Sequence, residues 1–404
     1  MNELLEPVLA ALERGERLAL ITMVRSVGST PRHSAARQVV FGNGHFQGTI
    51  GGGSMELQAV ADARAALAEG QPRLIEYRLT GRDAGNVGLC GGTEEVFIDL
   101  LEPARDAARR SSSTGGTVEL LRAIRGALAG GEAMVLATLI RTEGADDLFP
   151  GAKRALRMTG DAAGSLGDAR LDQALIEEAR RTFADGYARR LGFDPATGAI
   201  QRLMATQRAA VEIFLDIIEP RPRLLIVGAG HIGAALARLG KFLGWGVCVV
   251  DDRPGFATPD HLPDADEIRR VAYNPETEQL GPLDVRVTPD TAVVVATWGW
   301  DEPALRQLAG APGFYVGLVA SLRKAVVIFD TLRAEGIDPA WLDRVRVPVG
   351  LDLRAESPEE IALAIMAEIL MIQRKASGQP LMERKGWPAV RRRAEGQLKE
   401  VAGT

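Results

Sequence analysis

One half-domain is written twice in this chain, and only one copy keeps the residues that can do chemistry. Residues Gly15–Gly70 (GERLALITMVRSVGSTPRHSAARQVVFGNGHFQGTIGGGSMELQAVADARAALAEG) align without a gap to Gly131–Gly186 (GEAMVLATLIRTEGADDLFPGAKRALRMTGDAAGSLGDARLDQALIEEARRTFADG). Each copy is later closed by a near-identical segment, EEVFIDLLEP at Glu94–Pro103 and VEIFLDIIEP at Val211–Pro220. A duplication of this length sets the domain plan before any local pattern does. The first copy carries Gly28-Ser29-Thr30-Pro31-Arg32, then GTIGGG at Gly48–Gly53, then Cys90-Gly91-Gly92. The second has GADDL at Gly144–Leu148 and GSLGDA at Gly164–Ala169 in the first two places, and no cysteine. One copy is expected to hold a ligand and the other mostly to hold shape.

Composition narrows the classes. A chain of 404 residues supports two or three domains with separate cores. Hydrophobic content of 46% with 25% charged residues is ordinary for a soluble globular protein. A net charge of −5, without a basic stretch interleaved with aromatics, speaks against nucleic-acid binding. The start MNELLEPVLAALERGERLAL lacks a cationic region followed by an apolar run, so no secretory signal is expected. No apolar run nears the ~18 residues of a membrane span. Two cysteines, Cys90 and Cys248, cannot form a disulfide framework and fit a reducing cytoplasm. The histidines at 33, 45, 231 and 261 have no metal-ligand spacing, so a metal site built by protein alone is not expected.

The pattern implies an α/β protein in which duplicated α+β repeats, one degenerate, precede a Rossmann-like doubly wound parallel sheet. The expected divisions are 1–104 for the motif-bearing repeat, 105–116 for an SSSTGG-containing linker and 117–220 for the degenerate repeat. A Rossmann-like domain over 221–376 and a charged tail over 377–404 complete the plan. Each repeat opens with an amphipathic helix (Leu4–Glu13, Val118–Ala129) followed by an aliphatic strand (Leu18–Val24, Met134–Ile140). Gln38–Phe41 leads through Gly42-Asn43-Gly44 into a hairpin partner, and the glycine turn opens a helix from about Ser54 to Ala68. Beyond Pro220-Arg221-Pro222, strands are expected at Leu224–Val227, Val247–Val250, Ala292–Ala296, Tyr315–Leu318 and near Val345–Val349. Ser357-Pro358-Glu359-Glu360 predicts the start of a last helix through a capping box.

Gly228-Ala229-Gly230-His231-Ile232-Gly233 follows an apolar strand, opens a helix and precedes Asp251 by about twenty residues, the context of a dinucleotide-binding turn. Gly228 suits the tight turn, Gly230 the approach of a phosphate and Gly233 close helix packing, while Asp251 or Asp252 can accept from a ribose hydroxyl. His231 can touch a phosphate or cap the helix. A Rossmann domain that has lost its nucleotide remains the plainer alternative. In the first repeat, Arg32 offers a planar fork for a phosphate or pterin oxygen, with Arg25 and Arg37 nearby. Gly51-Gly52-Gly53 weakens its own element and suits a close approach of backbone to a ligand, a tight turn being the plainer alternative. Ser54 is the expected N-cap of the following helix and Glu56 lies in its first turn. Cys90, flanked by glycines, can bind a soft metal or carry sulfur, or be a small buried hydrophobe, whereas Cys248 reads as core. Arg323 and Lys324 at a helix start can reach a phosphate or face solvent. Trp298 and Trp300 can stack on a planar ring, with packing the expectation for at least one of them. No paired carboxylates, nucleophile elbow or His–Asp arrangement stands out, which speaks against an ordinary hydrolase.

The set GSTPR, GTIGGGSMEL, GLCGGTEEVFIDLLEP, PRLLIVGAGHIG, VVDDR, YVGLVASLRK and PVGLDLRAESPEEIALAIMAEIL, in this order, resembles the xanthine dehydrogenase accessory protein (XdhC/CoxI) family in its long form, from about residue 4 to 374. The resemblance implies a molybdenum cofactor maturation chaperone, not an enzyme in its own right. Such a protein binds molybdopterin in a mononucleotide or dinucleotide form, supports its sulfuration by a cysteine desulfurase and inserts it into a xanthine dehydrogenase- or carbon-monoxide-dehydrogenase-type hydroxylase. It marks Gly28, Ser29, Thr30, Pro31, Arg32, Gly51, Gly52, Gly53 and Cys90 in the first repeat, and Gly228, Gly230, His231 and Asp251 in the Rossmann domain, as cofactor-binding, with Cys90 as the ligand to molybdenum; Ser54 and Gly233, beside these motifs, are counted with them as candidate cofactor-binding residues. Two positions depart from the family pattern: Ser54 stands where many relatives have Cys, and Trp298 where many have His. The other readings are an NAD(P)-dependent oxidoreductase using the Rossmann turn directly and a scaffold that only bridges partners. A cytoplasmic protein is expected, with no nucleic-acid or membrane partner, and repeats that can pair or exchange between copies are compatible with a homodimer.

Overall fold

The computed structural model describes residues 2–27, 35–78, 92–103 and 116–384. The chain divides into two units, Met1–Pro220 and Arg221–Thr404. The expected linker, apart from Gly116, and most of the charged tail lie outside the described residues.

In the first unit the duplication becomes two matching modules. The first runs α1 (Asn2–Glu13), β1 (Leu18–Val27), β2 (Arg37–Phe41), β3 (Phe46–Thr49), α2 (Gly53–Glu69), β4 (Arg73–Arg78) and β5 (Thr93–Leu101). The second runs α3 (Thr117–Ala129), β6 (Met134–Thr142), β7 (Lys153–Leu156), β8 (Ala162–Ser165), α4 (Ala169–Asp185), β9 (Arg189–Phe193), β10 (Ile200–Leu203) and β11 (Val211–Ile218). Sheet orders are β3-β2-β1-β5-β4 and β10-β9-β11-β6-β7-β8, antiparallel throughout. Strands β4, β9 and β10 were not foreseen. They are sheet members at or next to an edge, and all three mix charged residues into the strand, so their sequences carry weak alternation.

Alternation along β1 divides the first module's core. Ala19, Ile21 and Met23 pack with Val40, Val96 and Ile98 under α2, which contributes Met55, Ala59, Val60 and Ala63. Leu18 and Leu20 face the other way, into a core shared with Leu136 of β6 and with α1 and α3. A register shift between Met23 and Arg25 is matched by one between Glu212 and Ile213 in the second module. These bulges turn Val24 and Ile140 onto Phe97 and Phe214, a small cluster built from both modules. The inner faces of the two sheets thus bury each other, and α2 and α4 cover the outer faces.

The second unit is a parallel sheet. It comprises β12 (Arg223–Val227), α5 (His231–Phe242), β13 (Gly246–Asp251), β14 (Glu267–Arg270), a small hairpin β15 (Tyr273–Asn274) and β16 (Gln279–Leu280), and β17 (Thr291–Val295). It continues with α6 (Asp301–Leu308), β18 (Tyr315–Leu318), α7 (Leu322–Ala334), α8 (Pro339–Leu342), β19 (Val345–Arg346), α9 (Pro358–Gln373) and α10 (Leu381–Arg384). The order β14-β13-β12-β17-β18-β19, all parallel, is the doubly wound arrangement expected from the sequence. Ser357 and Glu360 form the capping box that their spacing predicts. Among the described residues no helix is long and apolar enough to cross a membrane.

Candidate functional site

The first module gathers its motif loops at one end of its sheet. Val27 and Arg78 are both register partners of Thr93, so the chain leaves β1 and β4 and re-enters β5 side by side. Thr22, Arg37 and Thr49 are likewise aligned across β1, β2 and β3, which puts the glycine turn at the same end. Gly28, Ser29, Thr30, Pro31, Arg32 and Cys90 lie outside the described residues; the strand ends that hold them are the ones just named.

The turn before α2 is organised by Glu56. Its Oε2 accepts from Thr49 Oγ1 (2.6 Å), Ile50 N (3.1 Å) and Gly52 N (3.0 Å). Partial burial pushes this carboxyl up, but these bonds outweigh it and hold its pKa below the ordinary value. Gly51, Gly52 and Gly53 all have positive φ, at 149°, 79° and 73°. The N-cap is Gly52 and not Ser54, because the turn's backbone enters the helix one step earlier; Ser54 is an exposed residue inside α2.

The second module fills the same place with a side chain of its own. Asp172 repeats Glu56, accepting from Ser165 Oγ (2.6 Å) and Leu166 N (3.0 Å). At the position of Gly52 stands Asp168, whose Oδ1 accepts from the amides of Arg170 (2.7 Å) and Leu171 (3.1 Å). Among the described residues the corresponding amides of Ser54 and Met55 have no side-chain cap, and nothing lies within 4 Å of where a Cβ on Gly52 or Gly53 would sit. The motif-bearing copy therefore has an open, positively polarised helix start where its sister carries a carboxylate.

Beneath this end, buried polar groups accumulate. Glu94 and Gln38 are fully buried on the α2 face, and their side-chain oxygens and nitrogen have no hydrogen-bond partner among the described residues. Burial raises the Glu94 pKa. The aligned residues of the second module are Val211, which is apolar, and Arg154, which is bonded to Gly164 O (3.0 Å). Glu94 and Gln38, whose side chains are wholly without partners among the described residues, fit a polar ligand that completes them.

On the inner face, Arg25 and Arg37 prove to be committed to the joint between modules. Arg25 donates to Glu76 (2.5 Å), Glu95 (3.2 Å) and Ala205 O (3.2 Å). Arg208 reaches Glu95 (2.9 Å) and Glu76 (3.2 Å) from the second module, while Arg190 and Arg141 bracket the fully buried Glu212. Arg37 pairs with Asp216 at 2.6 Å.

In the second unit the strand order reverses between β12 and β17, so the crevice opens above Gly228–Gly230 and Ala296–Gly299. A Cβ on Gly233 would meet Gly228 O at 1.9 Å, whereas one on Gly230 would meet only Arg253 Nη2, at 4.0 Å. His231 is the exposed first residue of α5. Asp251 stands at the end of β13 as expected, but it faces inward. Its Oδ1 accepts from Arg253 N (2.9 Å) and Nε (2.9 Å), and its Oδ2 from Ala229 N (2.6 Å) and Arg253 Nη2 (2.8 Å). Burial pushes its pKa up, but the Arg253 guanidinium and these amides hold it below the ordinary value. Asp252 accepts from Trp300 Nε1 (3.0 Å). Trp300 is core, and Trp298 is 90% exposed at the crevice. Lys324 is tied to the buried Asp301, and Cys248 is packed within β13. Among the described residues no group of three His, Cys, Asp or Glu could hold a metal ion.

Comparison with known proteins places these features in a family. The XdhC and CoxI family model matches residues 11–78 and again 127–194, and the XdhC Rossmann domain model matches residues 224–369. The chain is 27% identical over 370 residues to a probable xanthine dehydrogenase subunit of Bacillus subtilis (strain 168), covering 91% of this chain and 97% of that one. It is 29% identical over 233 residues to the uncharacterized protein YqeB of Escherichia coli (strain K12), where the match covers 57% of this chain and only 42% of that protein. A xanthine dehydrogenase crystal structure from Bacillus halodurans aligns with a TM-score of 0.65 at 21% identity, over 94% of this chain and 98% of that one, a likeness of fold.

Proposed function

Because the chain belongs to the XdhC and CoxI family, we propose that it is an accessory protein that holds molybdenum cofactor for a xanthine dehydrogenase-type hydroxylase, without catalysing hydroxylation itself. The observation that carries this reading is the contrast at Gly52: the sister repeat seats its own Asp168 carboxylate on two helix amides that the motif-bearing repeat leaves open. When bound, the cofactor would supply a sulfur-ligated, redox-active metal to the client enzyme. In this reading the amides of Ser54 and Met55 and the turn Gly51–Gly53 receive its phosphate. Arg32, in the loop Gly28–Arg32, adds a bidentate guanidinium. Glu94 and Gln38 offer buried acceptors and a donor for a polar ring edge, and Cys90 provides the thiolate ligand to the metal. The crevice at Gly228, Gly230, His231 and Gly233 would take a nucleotide. A cysteine desulfurase partner would deliver the sulfur, and the cytoplasm is the compartment where reduced thiols suit this work. The Bacillus subtilis relative's name supports a xanthine dehydrogenase as the client.

The test is purification from cells that make molybdopterin, with absorbance and molybdenum analysis of the protein. The expected result is near-stoichiometric pterin and metal, lost in Cys90→Ala and Arg32→Ala, with client hydroxylase activity in cells falling in parallel. Hydride transfer by the purified protein with tight nicotinamide binding and no pterin would replace this reading by an oxidoreductase. Client activity that survives both substitutions would leave only a bridging scaffold.

A further inference from the structure

The end of β13 is built around a closed ring of contacts. Ala229 N donates to Asp251 (2.6 Å), Asp251 is gripped by Arg253 through Nε and Nη2, and the Arg253 guanidinium lies 3.8 Å from the centre of the Phe256 ring. Phe256 meets His261 edge-on at 4.9 Å, and His261 Nε2 returns to Ala229 O at 2.8 Å. An ionised carboxylate has about four acceptor sites. The two Arg253 bonds, Arg253 N and Ala229 N supply four donors to Asp251, which is 1% exposed. A ribose diol would have to displace one of them. Asp252, the other acid at this strand end, is turned to the indole of Trp300.

The ring leaves a cation on offer. The Arg253 side chain is 37% exposed, and its Nη1 makes no hydrogen bond among the described residues. Its Nη2 borders the space above Gly230, the one glycine of the turn that leaves room for a phosphate. A guanidinium has donors and no acceptor, so it complements an anion and not a hydroxyl pair. Held by Asp251 and Phe256, it is already ordered before any ligand arrives.

Resting on the reading that the Rossmann crevice takes a nucleotide, we propose that Arg253 selects a ligand with a phosphate monoester on the ribose that sits at the end of β13, in preference to a free ribose diol. Asp251 then acts as the positioning residue for Arg253.

Isothermal titration of the full chain with 2′,5′-ADP and with 5′-ADP tests this. The expected result is at least tenfold tighter binding of 2′,5′-ADP, falling to within about twofold in Arg253→Ala and partly kept in Arg253→Lys, since each tenfold step corresponds to about 1.4 kcal/mol. The wild-type ratio needs no variant and stands if either substitution misfolds. Equal or tighter binding of 5′-ADP overturns the proposal and leaves the nucleotide reading intact, as does a preference that survives in folded Arg253→Ala. Binding of neither compound overturns both.

Discussion

Arg37 Nη1 lies 2.6 Å from Asp216 Oδ2 across the joint between the two halves of the duplication, with both side chains more than nine-tenths buried. Lys153, aligned in sequence with Arg37, pairs with Asp99, aligned with Asp216. The same contact is made twice in opposite directions, as across an isologous dimer interface, but within one chain. The second repeat thus keeps the residues of the joint while lacking the GSTPR and GTIGGG motifs of the first, and it adds Arg208 and Arg190 to the charge network around Glu95 and Glu212.

Breaking one partner of such a buried pair should be costly. Arg37→Ala or Asp216→Ala is expected to destabilise the first unit by about 3–5 kcal/mol, and Arg37→Met with Asp216→Leu by clearly less than the sum of the two. Urea unfolding followed by far-UV circular dichroism measures this. The five tryptophans all lie beyond Arg221, so their fluorescence reports the other unit as a control.

Glu56 should make stability pH-dependent in one direction. Its folded pKa is below the unfolded one, so its contribution is complete above the ordinary carboxylate range and is lost as pH falls through the folded value. Glu56→Ala is expected to cost about 1–2 kcal/mol at neutral pH and to flatten the acid limb of the stability curve.

Glu94 works in the opposite sense. Its folded pKa is raised, so the stability linked to it is complete below the unfolded carboxylate pKa and declines as pH climbs through the folded value. Glu94→Gln in the ligand-free protein should gain about 1 kcal/mol at neutral pH and remove that decline, read from denaturation midpoints between acid and neutral buffers.

Two neighbouring glycines should respond differently to alanine. Gly233→Ala places a Cβ 1.9 Å from Gly228 O and is expected to cost about 3 kcal/mol or more, at the upper end of what overpacking costs. Gly230→Ala meets nothing closer than 4.0 Å, so its melting temperature should stay near that of the parent while nucleotide binding is lost.

Cys248 should be inert. Burial, reinforced by Glu267, pushes its thiol up to about 12, so in Cys90→Ser protein a disulfide reagent near pH 8 should find no reactive thiol until denaturant is added. Rapid labelling of the native variant would show that β13 opens.

Much of the fold was legible because its signals are local. The internal repeat, the aliphatic strands at Leu18 and Leu224, the GAGHIG turn and the Ser357 capping box each depend on a few consecutive residues. The strands β4, β9 and β10 escaped because their place is set by pairing with β5 and β11 and not by their own alternation. Ser54 was misplaced as an N-cap because side-chain preference cannot show where three positive-φ glycines deliver the backbone.

What the amino-acid order determined by itself is the plan: a motif-bearing repeat, a shape-keeping repeat and a parallel domain with a phosphate-type turn. Tertiary structure alone decided which charges are available to a ligand. Arg25, Arg37 and Asp251 read equally well as binding residues in one dimension, but each meets its partner only after folding, across 70, 179 and 22 residues respectively for Glu95, Asp216 and Ala229. The physical reason is that a buried charge must be paired, and the partner is chosen by the packing of sheets that sequence spacing does not encode.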